Sequence, residues 1–547
     1  MKDTSKKQNF LHGAALLALA TAVVKLIGAL YKLPLNRIIG AEGFAYFTTA
    51  YEIYFVFLMI STAGLPVAMS RMVSEASSLG RYNQVRRIYT TARTIFLALG
   101  IVSTLIMLLG SQWLAVKLHQ PNAVVAIAAL APCAFFMCLI SVYRGFFQGQ
   151  SNMRPTSNSQ MLEALFKLLV GLSAAFIIMY FTESIALAAG GAILGVTVSC
   201  LISAIYLRAK FAPAYKELPI SDETPLSRRS TANGLLAIAI PITVGSAGLQ
   251  LITVVESGLY MGRLVELVES NQYMSHLISP VYDAEQAASS LKGLFDMART
   301  IFNMPCSFIV PLTVSVLPAI TEFLTLKKDA QTRATAESGA RITGLLSLPC
   351  TIGLFLLGEP IMRLLGGYTG TYLTIGGQLL SLMGVSVFLY SVIQYTNALL
   401  QAHGYVYVPV FNMLFSTIMR LIAVYILVGN PAIGILGVPI GIILGYGAIA
   451  ALNLFFIHKL VAQKPRLLAN LFRPLLPAVL MGIIVFACHY GLVALLGAGA
   501  SSVILCFVPI ALGAVVYFAG VVLFKTLRRE DCLLLPKGEK IAKILGL

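Results

Sequence analysis

The side chains with chemistry to offer in this sequence stand where charge is costly. Lys25, Glu52, Glu163, Lys167, Glu256, Asp296, Arg299 and Arg420 lie inside long apolar stretches, and Lys32 and Arg37 lie just beyond the first of them. A charge near the centre of a bilayer is expensive, so each should face a partner or a water-filled path. Helical spacing collects these residues into stripes. Thr21, Lys25, Lys32 and Asn36 share one face, and Thr253, Glu256, Tyr260 and Arg263 share another. Asp296, Arg299 and Asn303 form a third, and Asn412, Ser416 and Arg420 a fourth. A polar stripe down a membrane helix reads as the lining of a hydrated passage.

The chemistry these stripes suggest is anion binding. Lys25 and Arg299 are the deepest cations and read as ligands for an anion, since both residue types suit phosphate. Asp296 is spaced to neutralise Arg299, and Glu52 is placed to neutralise Lys25 across helices. Glu163 and Lys167, at i and i+4, are spaced for a structural salt bridge. Arg420 is open to three readings: a partner for Glu163, a snorkelling side chain, or a ligand contact. Glu256 reads either as a coupling-cation site or as half of a structural ion pair. Arg93 and Lys292, near helix ends, are expected to snorkel. The sequence has no P-loop, no HExxH and no G-x-S-x-G, so no catalytic residue, metal site or cofactor is assigned. Seven of the eight cysteines lie in apolar runs and none forms a CxxC pair; they read as small buried hydrophobes.

The elements that must hold these residues are membrane helices. Only 11% of the 547 residues are charged, 58% are hydrophobic, and the mean hydropathy is +0.85. A soluble protein of this size needs far more charge on its surface, which excludes a soluble enzyme, a disordered chain and a nucleic-acid-binding module. Fourteen apolar stretches are long enough to span a bilayer. They run near 11–31, 43–70, 88–110, 121–143, 157–181, 184–207, 233–262, 288–320, 339–364, 371–400, 405–429, 432–457, 474–496 and 499–524. The apolar pattern after Lys2, Lys6 and Lys7 continues past Lys25, so the first stretch reads as an uncleaved membrane helix rather than a signal peptide. With the N-terminus inside, 28 of the 39 Lys and Arg residues fall in inner segments and five in outer loops. That asymmetry places both termini in the cytoplasm and explains most of the net charge of +17 without nucleic acid. Gly437, Gly441 and Gly445 permit close helix approach, read as packing within one chain. The basic tail, from Lys537 on, reads as a solvated tail or as lying on the inner membrane face.

A weak internal repeat supports two related halves. At an offset of 247, Phe55, Leu65, Val67 and Glu75 correspond to Phe302, Leu312, Val314 and Glu322, and Gln148 with Pro155 echoes Gln401 with Pro409. The expected architecture is an all-α integral membrane protein of 14 transmembrane helices. It divides into an N-lobe of helices 1–6 (1–210), a cytoplasmic linker (211–232), a pseudo-symmetric C-lobe of helices 7–12 (233–465), helices 13 and 14 (466–526) and a cytoplasmic tail (527–547).

Several motifs resemble a known family. They are Lys25-Leu-Ile-Gly28, Asn36-Arg37-Ile-Ile-Gly40-Ala-Glu-Gly43, Ala63-Gly64-Leu65-Pro66, Arg144-Gly-Phe-Phe-Gln148-Gly149 followed by Asn152-Met-Arg-Pro155, and Ala298-Arg299 with Pro305 and Leu317-Pro318. Together they resemble the polysaccharide flippase family of the multidrug/oligosaccharidyl-lipid/polysaccharide exporter superfamily, and within it the SpoVB and MurJ-type lipid II flippases of Gram-positive bacteria. The resemblance runs over about 10–526 and implies two six-helix lobes around a V-shaped cavity, with helices 13 and 14 forming a groove for a polyprenyl tail. It implies that Lys25 and Arg299 are cavity cations and that Arg37 is a basic position at the outer end of helix 1. Where the family has a second helix 1 cation this chain has Tyr31, beside Lys32, and in helix 2 it has Glu52. The implied function is translocation of an undecaprenyl-pyrophosphate-linked cell-wall precursor across the bacterial cytoplasmic membrane by alternating access, lipid II first among such substrates. The expected substrate-binding set is Lys25, Lys32, Arg37, Glu52, Asp296, Arg299 and Asn303, with Glu163, Lys167, Glu256 and Arg420 as coupling or structural ion pairs. The expected partners are the lipid-linked sugar pyrophosphate, membrane lipids and cell-wall synthesis machinery, with the protein a monomer. The alternatives are a flippase for a teichoic, capsular or spore polysaccharide, a cation-coupled multidrug exporter, and a membrane glycosyltransferase or ligase.

Overall fold

The computed structural model describes residues 2–270, 283–314, 316–497, 501–528 and 531; over 2–29 it describes side chains only for Val24, Ile27 and Gly28, and those of 312 and 314 are also left out. The side chain of Lys25, the centre of the outer loop and the basic tail from 532 on therefore lie outside the described residues.

Every regular element described is helical. The first group is α1 (Lys2–Thr62), α2 (Leu65–Ser78), α3 (Tyr82–Leu109), α4 (Ser111–Lys117), α5 (Val124–Gly149), α6 (Arg154–Thr182), α7 (Ile185–Lys216) and α8 (Arg228–Glu269). Then come α9 (Ala284–Val314), α10 (Leu317–Thr325), α11 (Asp329–Leu356), α12 (Gly358–Ile361), α13 (Gly370–Ala402), α14 (Tyr407–Val428), α15 (Gly437–Leu460), α16 (Leu467–Leu471), α17 (Leu475–Leu496) and α18 (Ser502–Leu523).

Among the described residues, twelve spans are long and apolar enough to cross a membrane. Of the fourteen expected from sequence, two are not among them: the one near 11–31, which lies almost wholly outside the residues with described side chains, and the one near 288–320. The stretch Leu30–Ser78 counts as one span of 49 residues. That is roughly 70 Å of helix, against about 30 Å of hydrocarbon, so it is too long for one straight crossing. It is broken inside α1 at Gly40, whose φ of 69° and ψ of −177° are open to glycine and strained for other residues. The stretch near 288–320 is α9, which carries Lys292, Asp296 and Arg299.

Contacts divide the chain into two units, with the boundary inside α9 between Gly293 and Leu294. The first unit holds α1 to α7, α8 as far as Val265, and the start of α9. In it α6 packs along α7 where Gly195 meets Gly171: a Cβ on Gly195 would lie 2.3 Å from the Gly171 backbone. The linker after α7 is fastened. The Asn83 amide donates to the Ser221 and Glu223 carbonyls, Arg86 donates to the Leu218 carbonyl at 2.7 Å, and the Gln84 side chain accepts from the Leu226 N–H at 2.8 Å. These bonds satisfy backbone groups of an irregular segment that would otherwise lack partners.

The second unit holds the rest of α9 and α10 to α18. Val316, Ile320, Ala340, Tyr395, Leu399, Ile449 and Leu471 form its buried apolar core. The three glycines of α15 face α14, as packing within one chain requires: a Cβ on Gly441 would meet Val424 at 2.4 Å, and one on Gly445 would meet Arg420 at 3.0 Å.

Gly293 permits the tightest approach in the first unit. A Cβ there would lie 1.8 Å from the Ala41 carbonyl oxygen, one residue past the Gly40 break. Gly293→Ala should therefore force α9 away from α1 and cost about 1–3 kcal/mol, the usual range for overpacking. A thermal melt of the purified variant within a degree of wild type would refute this close contact.

Candidate functional site

In the first unit the embedded charges form two clusters. The Lys292 ammonium is fully buried and donates to both Glu52 carboxylate oxygens, at 3.3 and 3.4 Å. This corrects one expectation from sequence. Lys292 does not snorkel, because α9 begins at Ala284 and the Gly293 contact draws its backbone against α1. Glu52 meets Lys292, 240 residues away in sequence; the Lys25 side chain, expected beside Glu52, lies outside the described residues. Nearby, Tyr46 donates to Glu42 at 2.7 Å and accepts from Asn122 at 3.1 Å.

The second cluster lies between α1, α5 and α6. Arg144 donates through Nη2 to Glu163 and through Nε to Ser159, both at 3.0 Å. Arg144 thus takes the place at Glu163 that the sequence offered to Lys167 or Arg420. The Lys167 ammonium instead stands 5.3 Å from the Tyr31 ring centre and 5.4 Å from that of Tyr51. Tyr31 is buried and donates to the Ala192 carbonyl at 3.0 Å, so it is fixed by packing. The Arg144-Gly-Phe-Phe-Gln148-Gly149 block has a physical role as well. A Cβ on Gly149 would lie 2.6 Å from Val73, so this end of α5 seats against α2 and presents Arg144 to α6.

Other predicted residues of the first unit are spread over it. Asn36 is buried, Lys32 half-buried and Arg37 exposed, all three ahead of the Gly40 break in α1. Glu256 and Tyr260 are buried and Arg263 half-buried along α8. In the second unit Asp296 is buried, Arg299 half-buried and Asn303 exposed on α9. Arg420 is half-buried, and Asn412 donates to Asn453 at 2.9 Å, which in turn donates to Thr396 and Asn397 at 2.9 and 2.8 Å. This buried amide network joins α13, α14 and α15. Among the described residues no group of His, Cys, Asp and Glu could hold a metal ion.

Sequence reasoning missed one charged cluster entirely. Arg341 on α11 is buried and donates to Asp531 through Nε at 2.9 Å and Nη2 at 2.6 Å, and through Nη1 to Asn470 on α16 at 2.6 Å. Ser338 also bonds the Asp531 carboxylate, and the Arg528 N–H donates to it at 2.8 Å. Gly344 makes room: a Cβ there would meet the Leu471 carbonyl at 2.0 Å. No local spacing signals a pair 190 residues apart. Arg341 counted only as one more inner-loop cation.

The chain as a whole has counterparts among known proteins. The family described as "Polysaccharide biosynthesis protein" matches residues 10–324. The chain belongs to that family. A second description, "Lipid II flippase MurJ", matches residues 270–503. Stage V sporulation protein B of Bacillus subtilis (strain 168) is 25% identical over 458 residues, which cover 83% of this chain and 85% of that protein. Lipid II flippase MurJ of the same organism is 23% identical over 429 residues, covering 75% of this chain and 76% of it. Among solved structures, a lipid II flippase MurJ in an inward closed conformation superposes with a TM-score of 0.65 at 14% identity, over 93% of this chain and 98% of that one. An inward-facing MATE family transporter of the MOP superfamily gives 0.61 at 17% identity, over 81% and 99%. At these identities the structures show the fold: this family's chain has the helical fold of the MOP superfamily.

Proposed function

We propose that this protein is a flippase that moves a lipid-linked saccharide from the inner to the outer leaflet of the bacterial cytoplasmic membrane. The observation that carries the reading is α9. In a chain of the polysaccharide biosynthesis family, this helix keeps Lys292 and Asp296 buried and Arg299 half-buried amid apolar sequence. Such a helix is stable where its charges meet other charges, water or an anionic ligand, and not where they meet lipid. A sugar head group cannot cross hydrocarbon unaided, because each buried polar group costs several kcal/mol. Half-buried Arg299, with Lys25, would hold the pyrophosphate of an undecaprenyl-linked precursor while its tail stays in lipid. Lipid II is the head group this reading favours, because the lipid II flippase description matches 270–503, the segment that contains Arg299. Asp296 and Asn303 on the same helix, and Lys32 and Arg37 in the first unit, are further candidate contacts for the head group. The protein acts by alternating access of two halves and makes and breaks no covalent bond.

This reading takes fourteen crossings: the twelve spans above, α9, and the apolar stretch near 11–31. Both termini are then cytoplasmic, as the distribution of Lys and Arg favours. It is tested with the purified protein in vesicles that contain a fluorescent lipid-linked saccharide. Wild type should deliver the head group to the far leaflet. Arg299→Ala should slow delivery at least about tenfold, the loss expected for one charged phosphate contact. Transport by Arg299→Ala and Lys25→Ala at the wild-type rate would end the cavity-cation mechanism.

A further inference from the structure

The two sides of α6 differ. Leu165, Leu169, Phe176 and Tyr180 are large, apolar and exposed, and they mark a lipid-facing stripe. Lys167 sits two residues from both Leu165 and Leu169, which at 100° per residue puts it on the opposite side of the helix. It is half-buried and stands on the side of the helix turned away from that stripe. Its ammonium is held by the Tyr31 and Tyr51 rings at 5.3 and 5.4 Å. Aromatic faces attract a cation without occupying its N–H donors. The carboxylate one turn away, Glu163, is engaged by Arg144 at 3.0 Å, and among the described residues Lys167 has no carboxylate within ion-pairing distance. The second observation is independent of the first. The Tyr51 hydroxyl is buried and has no hydrogen-bond partner among the described residues.

An ammonium has donors and no acceptor, and a buried phenol lacking a partner has a donor to give. A metal ion would be repelled. A neutral sugar hydroxyl could fill the donors but would leave the charge uncompensated. An oxyanion answers both. We propose that Lys167 and Tyr51 form an anion site inside the first unit that takes a phosphate oxygen of the lipid-linked substrate. This rests on the flippase reading and adds to it a ligand contact on α6, separate from Arg299. The phosphate chemistry itself is common to a polyprenyl pyrophosphate and to free pyrophosphate, so the test separates them.

The full-length protein is titrated with a polyprenyl pyrophosphate, with the corresponding polyprenol lacking phosphate, and with inorganic pyrophosphate, following affinity and the ligand-induced shift in melting temperature. Lys167→Gln should weaken the polyprenyl pyrophosphate about tenfold, and Lys167→Arg should stay within about threefold of wild type, as a retained charge on phosphate implies. Tyr51→Phe should weaken it several-fold, and no variant should alter polyprenol binding. Should Lys167→Gln fail to fold, Tyr51→Phe keeps the ring and its packing and decides the matter. Wild-type affinity in both Lys167→Gln and Tyr51→Phe overturns this site and leaves the flippase reading standing. Equal binding of polyprenol and polyprenyl pyrophosphate by wild type overturns both. Inorganic pyrophosphate binding as tightly as the lipid, and lost in Lys167→Gln, overturns the lipid as the source of the phosphate.

Discussion

Replacing Asp531 with alanine is expected to destabilise the protein by about 3–5 kcal/mol, the range for leaving one charge of a buried pair uncompensated. The guanidinium of Arg341 is enclosed, with 2% of its side chain accessible, and Asp531 meets it through two parallel bonds. Asn470 remains after the substitution but is neutral. The loss is chiefly the stranded charge rather than the net worth of the bond, so removing both charges should restore much of it. Arg341→Leu combined with Asp531→Leu is therefore expected to melt well above Asp531→Ala. A chain cut after α18 should behave as Asp531→Ala does. Melting of Asp531→Ala within a degree of wild type would mean that Asp531 does not hold Arg341.

Lys292→Met is expected to have an effect of the same order, about 3–5 kcal/mol, because it removes the ammonium that faces Glu52 in a fully enclosed place. Here the decisive quantity is the coupling between the two positions. Glu52→Gln with Lys292→Met should cost far less than the two single changes added together, and the shortfall measures the pair. Strict additivity of the three melting shifts would show that the 3.3 Å contact carries no coupling energy.

Much of this molecule was legible because membrane helices announce themselves through length and apolar content. The stretches near 88–110, 184–207 and 432–457 became α3, α7 and α15 with ends shifted by several residues. The motif Arg144 to Gly149 was legible as a block, though its work, seating α5 on α2, was not. Charge partners were the failure. Glu163 pairs with Arg144 across helices, although Lys167 stands at the better-known i+4 spacing. Glu52 pairs with Lys292 and Arg341 with Asp531, each across about two hundred positions. Helical periodicity says which face a charge is on; it does not say which distant helix supplies the answering charge. That depends on where backbones come closest, and here those places are set by Gly293 and Gly344.

The fastened linker bears on how the protein can be handled as fragments. Composition invites a split near 211–232, the polar stretch between apolar halves. A protein cut there and expressed as two pieces would have to rebuild by diffusion the bonds from Asn83, Gln84 and Arg86 to residues 218–226. The short stretch Leu460–Leu467, which joins two helices that pack within one unit, is no better, since Gln463 bonds Asp329 at 2.7 Å and the Arg466 N–H bonds Glu337 at 3.0 Å. For this chain the polar seams are fasteners rather than tear lines, and a reporter or affinity handle set into either would be paid for in assembly.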